Sequence, residues 1–199
     1  MLLDLVFIRH GLTAGNQERR YIGQTDDQPL SEQGRRALLE RQAEGIYPRV
    51  QAVYTSPLRR CSETARLLYP MLVPVVVQAL IELDFGVFEG KTYDQLKDNP
   101  AYRRWIDTAG MTPPPGGEGG QEFAERLKGA MQQIAQHAVR SGVHQAAVVT
   151  HGGCLMSLLS TLGQGLSEQD FYRFQAANGG GFMAHVDTDT LVLTDIRPL

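Results

Sequence analysis

The sequence predicts an α/β fold, and three observations carry that expectation. Apolar, β-branched runs at Leu3–Ile8 and Ala146–Thr150 each pass with almost no polar spacer into a His-Gly pair, His10-Gly11 and His151-Gly152. Between such runs lie stretches of helical period. The clearest extends from about Gln121 to about Val139, where Phe123, Leu127, Met131, Ile134 and Ala138 keep one apolar face at steps of three and four. No internal repeat at a fixed period and no low-complexity tract breaks the alternation.

In chain order, strands are expected at Leu3–Ile8, Ala52–Thr55, Val73–Val77, Ala146–Thr150, Gly181–Val186 and Thr190–Ile196. Helices fall between them. Ser31 is a good N-cap for one running through Glu44, with Leu30 just outside it. A turn through Ser56-Pro57 opens a second, whose first turn carries Arg59 and Arg60, and another starts near Thr92. The segment Thr112–Gly120, TPPPGGEGG, is barred from helix and central strand by its prolines and either borders the pocket or only connects; its proline run favours the connector, with the role of Glu118 left open.

Composition bounds the function. A chain of 199 residues, 42% hydrophobic, can bury one good core and is too short for two independent enzymatic domains, so one domain over residues 1–199 is expected. Its net charge of −3, with both signs interspersed, offers no basic face for nucleic acid and no polybasic stretch for a membrane. Any anion pocket must be local. Cys61 and Cys154 lack metal-ligand spacing and read as small buried hydrophobes. The N-terminus has no basic region followed by a long apolar run, so a cytoplasmic location is expected, with a homodimer left open.

Four strings carry chemistry. LVFIRHGLTAGN, Leu5 to Asn16, places Arg9 and His10 at a strand's C-terminal end, where open α/β sheets bind ligands, and Gly11 turns the chain toward a helix N-terminus that favours anions. Alone, it is equally an ordinary strand end with a surface histidine. QAAVVTHGGCLMSLL, Gln145 to Leu159, repeats the design, and if the two strands are parallel neighbours His10 and His151 converge on one point. His137, His144 and His185 lack this setting and read as surface or packing residues. In YTSPLRRCSETARLL, Tyr54 to Leu68, two arginines occupy a helix N-terminus that prefers negative charge, which implies an anion opposite at least one of them; the other is expected to pair with Glu63 or a neighbouring acid. In ALIELDFGVFEGKTYDQL, Ala79 to Leu96, the carboxyls of Glu82, Asp84 and Glu89 lie among apolar residues. Desolvation favours the neutral form of such a carboxyl, as a general acid near neutral pH requires, and Glu82 fits that role best. Asp84 is read as capping the turn before Gly86, and Glu89 as bracing the Gly90 turn.

Together these strings resemble the histidine phosphatase superfamily, also called the phosphoglycerate mutase-like family, over most of the chain. The pieces are Arg9-His10-Gly11 after the first strand, Asn16 six residues beyond the histidine, Ser-x-Leu-x-Arg at Ser56–Arg60, the acid in Ile81-Glu82-Leu83, and the late His151-Gly152. The resemblance implies a three-layer sandwich, with a mostly parallel central sheet and helices on both faces. It also implies His10 as the phosphorylated nucleophile, Arg9, Arg60 and His151 as the phosphate pocket, Glu82 as the proton donor, and Asn16, Gly23 and Gly152 as substrate-binding residues. Arg60 is preferred to Arg59 because the family's arginine directly precedes a small residue, here Cys61 where alanine is more usual.

The implied activity is that of a metal-independent phosphomonoester hydrolase, a histidine acid-type phosphatase, acting on a small phosphorylated metabolite. Neutral His10 attacks in line, Glu82 protonates the leaving alcohol, and water then cleaves the phosphohistidine. His151, if protonated beside the phosphoryl group, and the Asn16 amide add donors to the phosphoryl oxygens. No cofactor or metal is expected, because arginines supply the charge and no carboxylate cluster has magnesium or zinc spacing. Mutases of the family carry a longer insertion after the acid-bearing segment, whereas only about thirty residues separate Gly90 from the helix at Gln121, which favours a phosphatase. The stretch from Glu82 through NPAYRRWID and PPGGEG looks like the α-ribazole phosphatase group and also like broad-specificity phosphatases. Phe88, Tyr102 and Trp105 are read either as lining for an aromatic base or as simple packing. A phosphoglycerate mutase and a non-catalytic phosphate-binding module are the alternatives.

Overall fold

The structure, a computed structural model, describes all 199 residues. Its six strands are β1 (Leu2–Arg9), β2 (Ala52–Thr55), β3 (Val75–Val76), β4 (Gln145–Thr150), β5 (Gly181–Asp187) and β6 (Leu193–Pro198). They form one mixed sheet in the order β3-β2-β4-β1-β5-β6. The first four strands in that order pair in parallel, while β5 runs antiparallel to β1 and to β6. The helices are α1 (Ala14–Gln17), α2 (Glu32–Ala43), α3 (Arg59–Leu68), α4 (Tyr93–Leu96), α5 (Pro100–Asp107), α6 (Gly120–Ser141) and α7 (Gly152–Leu162).

The continuous apolar runs of β1 and β4 follow from burial on both faces, as central parallel strands require. Successive side chains alternate between two cores. Leu3, Leu5, Phe7, Ala146 and Val148 join α6 and α7 in one, where Phe123, Leu127, Met131, Ile134 and Ala138 supply the helical stripe. Val6, Ile8, Ala147 and Val149 meet Leu38 of α2 and Cys61, Ala65 and Leu68 of α3 in the other. The result is an α/β/α sandwich, with helices covering both faces of the sheet. Each leucine fully buried in these cores contributes roughly 1.5–3 kcal/mol relative to exposure.

Element starts follow local chemistry. Ser31 Oγ accepts the Gly34 amide and caps α2, and Thr92 forms a capping box with Gln95 at the start of α4. Two expected strands shift. The run Val73–Val77 pairs only at Val75–Val76, because Pro74 lacks the N–H a ladder needs and the segment lies at the sheet edge. The run expected at Thr190–Ile196 begins at Leu193 and ends at Pro198, because Asp187 Oδ1 accepts the amides of Asp189 and Thr190 and turns the chain there. No helix is long and apolar enough to cross a membrane.

The register positions the functional site. Arg9 lies opposite Thr150 in the β1/β4 ladder, and the His10 amide donates to the Thr150 carbonyl at 2.9 Å. The residues that leave the two strands, His10 and His151, therefore emerge side by side.

Candidate active site

At the strand ends the rings of His10 and His151 stand edge to face with centroids 5.2 Å apart, both almost wholly buried. His10 Nδ1 lies 2.7 Å from the Gly11 carbonyl, which can only accept, so this nitrogen carries the proton. Nε2 is left as the lone-pair nitrogen. Burial, then the charges of Arg60 and Arg9, hold His10 well below the usual histidine range. The ring is neutral and basic at one defined atom.

Arg60 is completely buried at the start of α3. Its Nε donates to His151 Nδ1 at 3.2 Å, Nη1 to the Asp26 carbonyl and Nη2 to the Gly23 carbonyl, each at 2.9 Å. Arg59 takes the solvated place: its guanidinium pairs with Glu63 at 3.6 Å and is mostly exposed. The two adjacent residues point in different directions from one helical turn, as steps of about 100° demand. Arg9 is fixed by Nη1 on the Ala176 carbonyl at 2.7 Å, while its buried Nε has no protein partner. A guanidinium donor buried and unpaired beside His10 and Arg60 is a feature that an anion would satisfy.

The ring of His151 is held in one neutral form by its partners. Arg60 can only donate, so His151 Nδ1 accepts and the single proton sits on Nε2, which lies 2.7 Å from Ser56 Oγ. Burial and the neighbouring Arg60 and His10 push the imidazole well below its ordinary range. Asn16 is held through its oxygen. Its Oδ1 accepts from Thr13 and from Asn178 Nδ2 at 3.1 Å, which leaves Nδ2 as the group available to a ligand.

Glu82 is 6% exposed on the stretch between β3 and α4. Its Oε1 accepts the Leu83 amide at 2.9 Å and its Oε2 the Gly153 amide at 3.1 Å, in the first turn of α7. Burial raises its pKa above the ordinary glutamate value, outweighing those two amides and the charges of Arg60 and Arg9. A Cβ on Gly153 would stand 2.6 Å from Glu82 Oε1, so only glycine admits the carboxyl here. A Cβ on Gly152 would stand 3.3 Å from the Arg9 guanidinium, a tight approach to it. Gly23 meets the site through its carbonyl, behind Arg60, and has no room for a side chain against Glu89 Oε1 and the Leu83 carbonyl.

Several other readings change on contact with the structure. Glu89 does not brace Gly90; it accepts the amides of Gln24 and Thr25 at 2.9 and 3.0 Å and so fixes the loop that carries Gly23. Asp84 does cap the turn at Gly86. Phe88 and Tyr102 are buried against Trp105 and Tyr21, with the Tyr21 and Tyr102 hydroxyls 2.6 Å apart, so these aromatics pack on one another. The segment read as a connector borders the site through Glu118. Both cysteines are buried, Cys61 beside His151 and Cys154 beside the Glu82 segment, and burial raises the Cys61 thiol to about 12, which leaves it inert. His137 bonds Tyr54 and His185 bonds Asp4, both away from the site.

Sequence reasoning missed two supporting residues, Asn178 beneath Asn16 and the His10 carbonyl and Arg126 in its pair with Glu118, and it gave no role to Ser56, which lies under His151. Asn178 had a signal, as an asparagine opening the glycine run Gly179–Gly181 before a strand, where such residues make turns; Arg126 had none.

This arrangement resembles known proteins throughout. A curated relative from Cronobacter sakazakii, "Probable phosphoglycerate mutase GpmB", is 34% identical over 172 residues, covering 81% of this chain and 75% of its own. The crystal structure of the α-ribazole phosphatase from Shigella flexneri superposes with a TM-score of 0.81 at 26% identity, covering 99% of this chain and 96% of its own. That of the mycobacterial glucosyl-3-phosphoglycerate phosphatase gives 0.80 at 25%, covering 98% of each chain. The family model for the histidine phosphatase superfamily (branch 1) matches residues 5–196, so the two histidines and the guanidiniums around them belong to a member of that superfamily, and this chain is one.

Proposed function

We propose that this chain hydrolyses a small phosphomonoester through a phosphohistidine on His10, with Arg9, Arg60, Asn16 and His151 holding the phosphoryl group and Glu82 supplying the proton. The observation that carries the reading is the tautomer of His10. Its Nδ1–H is committed to the Gly11 carbonyl, so Nε2 presents a lone pair beside two guanidiniums. A phosphomonoester transition state spreads charge over three equatorial oxygens, with nucleophile and leaving group in line. Fixed cations that cannot lose their protons suit those oxygens, and the unpaired Nε of Arg9 is one such donor.

The neutral His151 joins by a local exchange of partners. Its Nε2–H can turn from Ser56 Oγ to a phosphoryl oxygen, and an arriving dianion reverses the electrostatic cause of its low pKa. In the first step Glu82 enters as the acid and leaves the alcohol neutral; the same carboxylate then activates water against phosphorus. The phosphate bond to Nε2 breaks and inorganic phosphate departs.

Two named neighbours, the α-ribazole and glucosyl-3-phosphoglycerate phosphatases, support a hydrolase of a phosphorylated metabolite. The 34% identical relative named as a mutase supports a second reading, in which a substrate hydroxyl replaces water as acceptor. The test is direct. Rapid quench with labelled substrate should trap an acid-labile phosphohistidine that His10→Ala cannot form, with turnover unaffected by chelators. Label released as inorganic phosphate supports the hydrolase; label moved between positions of 3-phosphoglycerate supports the mutase. Turnover retained by His10→Ala sinks both.

A further inference from the structure

Glu82 stands on the irregular stretch Ile81–Phe85, between two single turns of 3₁₀ helix at Gln78–Leu80 and Gly86–Phe88. No strand ladder fixes its backbone, yet misplacing a catalytic group by about 1 Å can cost roughly a hundredfold in rate. The constraint arrives from elsewhere. Arg126, on α6, donates through Nη1 to the carbonyls of Ala79 at 2.7 Å and Ile81 at 2.9 Å, and through Nη2 to that of Glu82 at 3.3 Å. Its remaining two donors are taken by one carboxylate: Nε by Glu118 Oε1 at 2.8 Å and Nη2 by Glu118 Oε2 at 2.7 Å. All five guanidinium N–H groups thus have acceptors, and three of those are carbonyls within four residues of backbone ending at Glu82.

Glu118 completes the frame. It is 9% exposed, and its own amide donates to the Asp84 carbonyl at 3.0 Å, so the proline-rich segment is tied to the acid-bearing stretch on both sides of Glu82. Such a half-buried, fully paired guanidinium holds a backbone to a fixed distance from a helix.

We infer that Arg126, locked by Glu118, is a positioning residue that aims the Glu82 carboxyl at the leaving-group oxygen; the inference rests on the reading of Glu82 as proton donor. Arg126 touches neither substrate nor the carboxyl itself. Its loss should therefore weaken proton delivery and leave the phosphate-binding side intact, a selectivity that general loosening of the fold would lack.

The experiment measures single-turnover phosphorylation of His10 with an alkyl phosphate and with p-nitrophenyl phosphate, whose leaving group departs without a proton. Arg126→Lys keeps the charge but offers three donors on a point cation in place of five in a plane. It should lose roughly tenfold to a hundredfold with the alkyl ester and under about threefold with the nitrophenyl ester. In a Glu82→Gln background the same change should cost nothing further. Glu118→Gln should show the same pattern more weakly, and it carries the test if Arg126→Lys fails to fold. Equal losses on both esters, or losses that add fully to those of Glu82→Gln, overturn the inference. If Glu82→Gln itself fails to discriminate the two esters, the proton-donor reading falls and takes the inference with it.

Discussion

The proposed mechanism divides the site into a phosphate wall and a leaving-group wall, and the two are built on different principles. The phosphate wall grows out of the sheet: His10 and His151 leave adjacent parallel strands, and Arg60 leaves the helix that follows β2, the next strand over. Its fixed points are largely backbone, namely the Gly11, Gly23, Asp26 and Ala176 carbonyls. The leaving-group wall, from Ala79 to Glu89, has no ladder of its own and hangs on side chains from distant segments: Arg126 on the carbonyls around Glu82, Glu118 on Arg126, and Glu89 on the 24–25 loop. The difference has a physical sense. Guanidiniums and imidazoles stripped of water must be preorganised to the ångström, and strand ends do that at no extra cost in side-chain entropy. A proton donor answers to leaving groups of varied size, and a wall assembled from loops can vary while the other stays fixed.

The largest test of that contrast separates two adjacent arginines. Removing one well-placed donor to a developing oxyanion typically costs about a hundredfold to a thousandfold in rate, so Arg60→Ala should lower kcat/KM by several hundredfold. It should also destabilise, because the Gly23 and Asp26 carbonyls lose buried donors at about 1–3 kcal/mol each. Arg59→Ala removes an exposed pair with Glu63, worth at most about 1 kcal/mol, and should leave the kinetics nearly unchanged. Steady-state kinetics beside thermal melts decide it. The reverse ranking would move the phosphate wall to the wrong face of α3.

A smaller effect probes the other wall through pH. On the proposed mechanism Glu82, whose pKa is raised, is protonated for the first step, so alkyl phosphate turnover should fall as pH rises through that raised value; His10, whose pKa is depressed, attacks as the neutral ring, so turnover should also fall at pH values well below 6.5. Glu82→Gln should remove the fall on the basic side and cost roughly a hundredfold with an alkyl ester against a few-fold with p-nitrophenyl phosphate. A profile for the variant that keeps its basic limb would assign that limb to the substrate or to another group.

The same contrast explains what could be read in the sequence. The phosphate wall was legible because its residues sit at strand ends, and strand ends announce themselves through apolar runs stopping at Arg9-His10-Gly11 and His151-Gly152. Parallel pairing then had to bring the two histidines together, and β1/β4 does. The supports of the other wall were not legible, since Arg126 bonds carbonyls 44 to 47 positions away and nothing in its own helix distinguishes it from a solvated arginine. Glu89 is the sharper case. Its neighbours favour a local turn, and only the close approach of Gly23, where no side chain fits, sends its carboxylate across to the 24–25 loop. The neutral form of His151 is likewise invisible in the sequence, because it follows from complete burial beside Arg60.

The smallest expected effect concerns stability. His10 has a folded-state pKa well below the unfolded value of about 6.5, so between the two the unfolded chain binds more protons. The stabilisation from keeping this imidazole neutral and buried is therefore present above pH 6.5 and drains away as pH falls below it. Glu82 runs the other way: its raised pKa makes the folded state the better proton acceptor as pH falls, which offsets part of the loss. One titrating group can contribute a slope of at most about 1.4 kcal/mol per pH unit. Urea melts of His10→Gln and the wild type from pH 7 to pH 5 should converge as pH drops, with the variant's slope shallower by up to that amount. Parallel curves would mean that His10 titrates in the folded protein much as it does in the unfolded chain, and the phosphate wall would then lack the dry, preformed nucleophile that sets it apart from its neighbour.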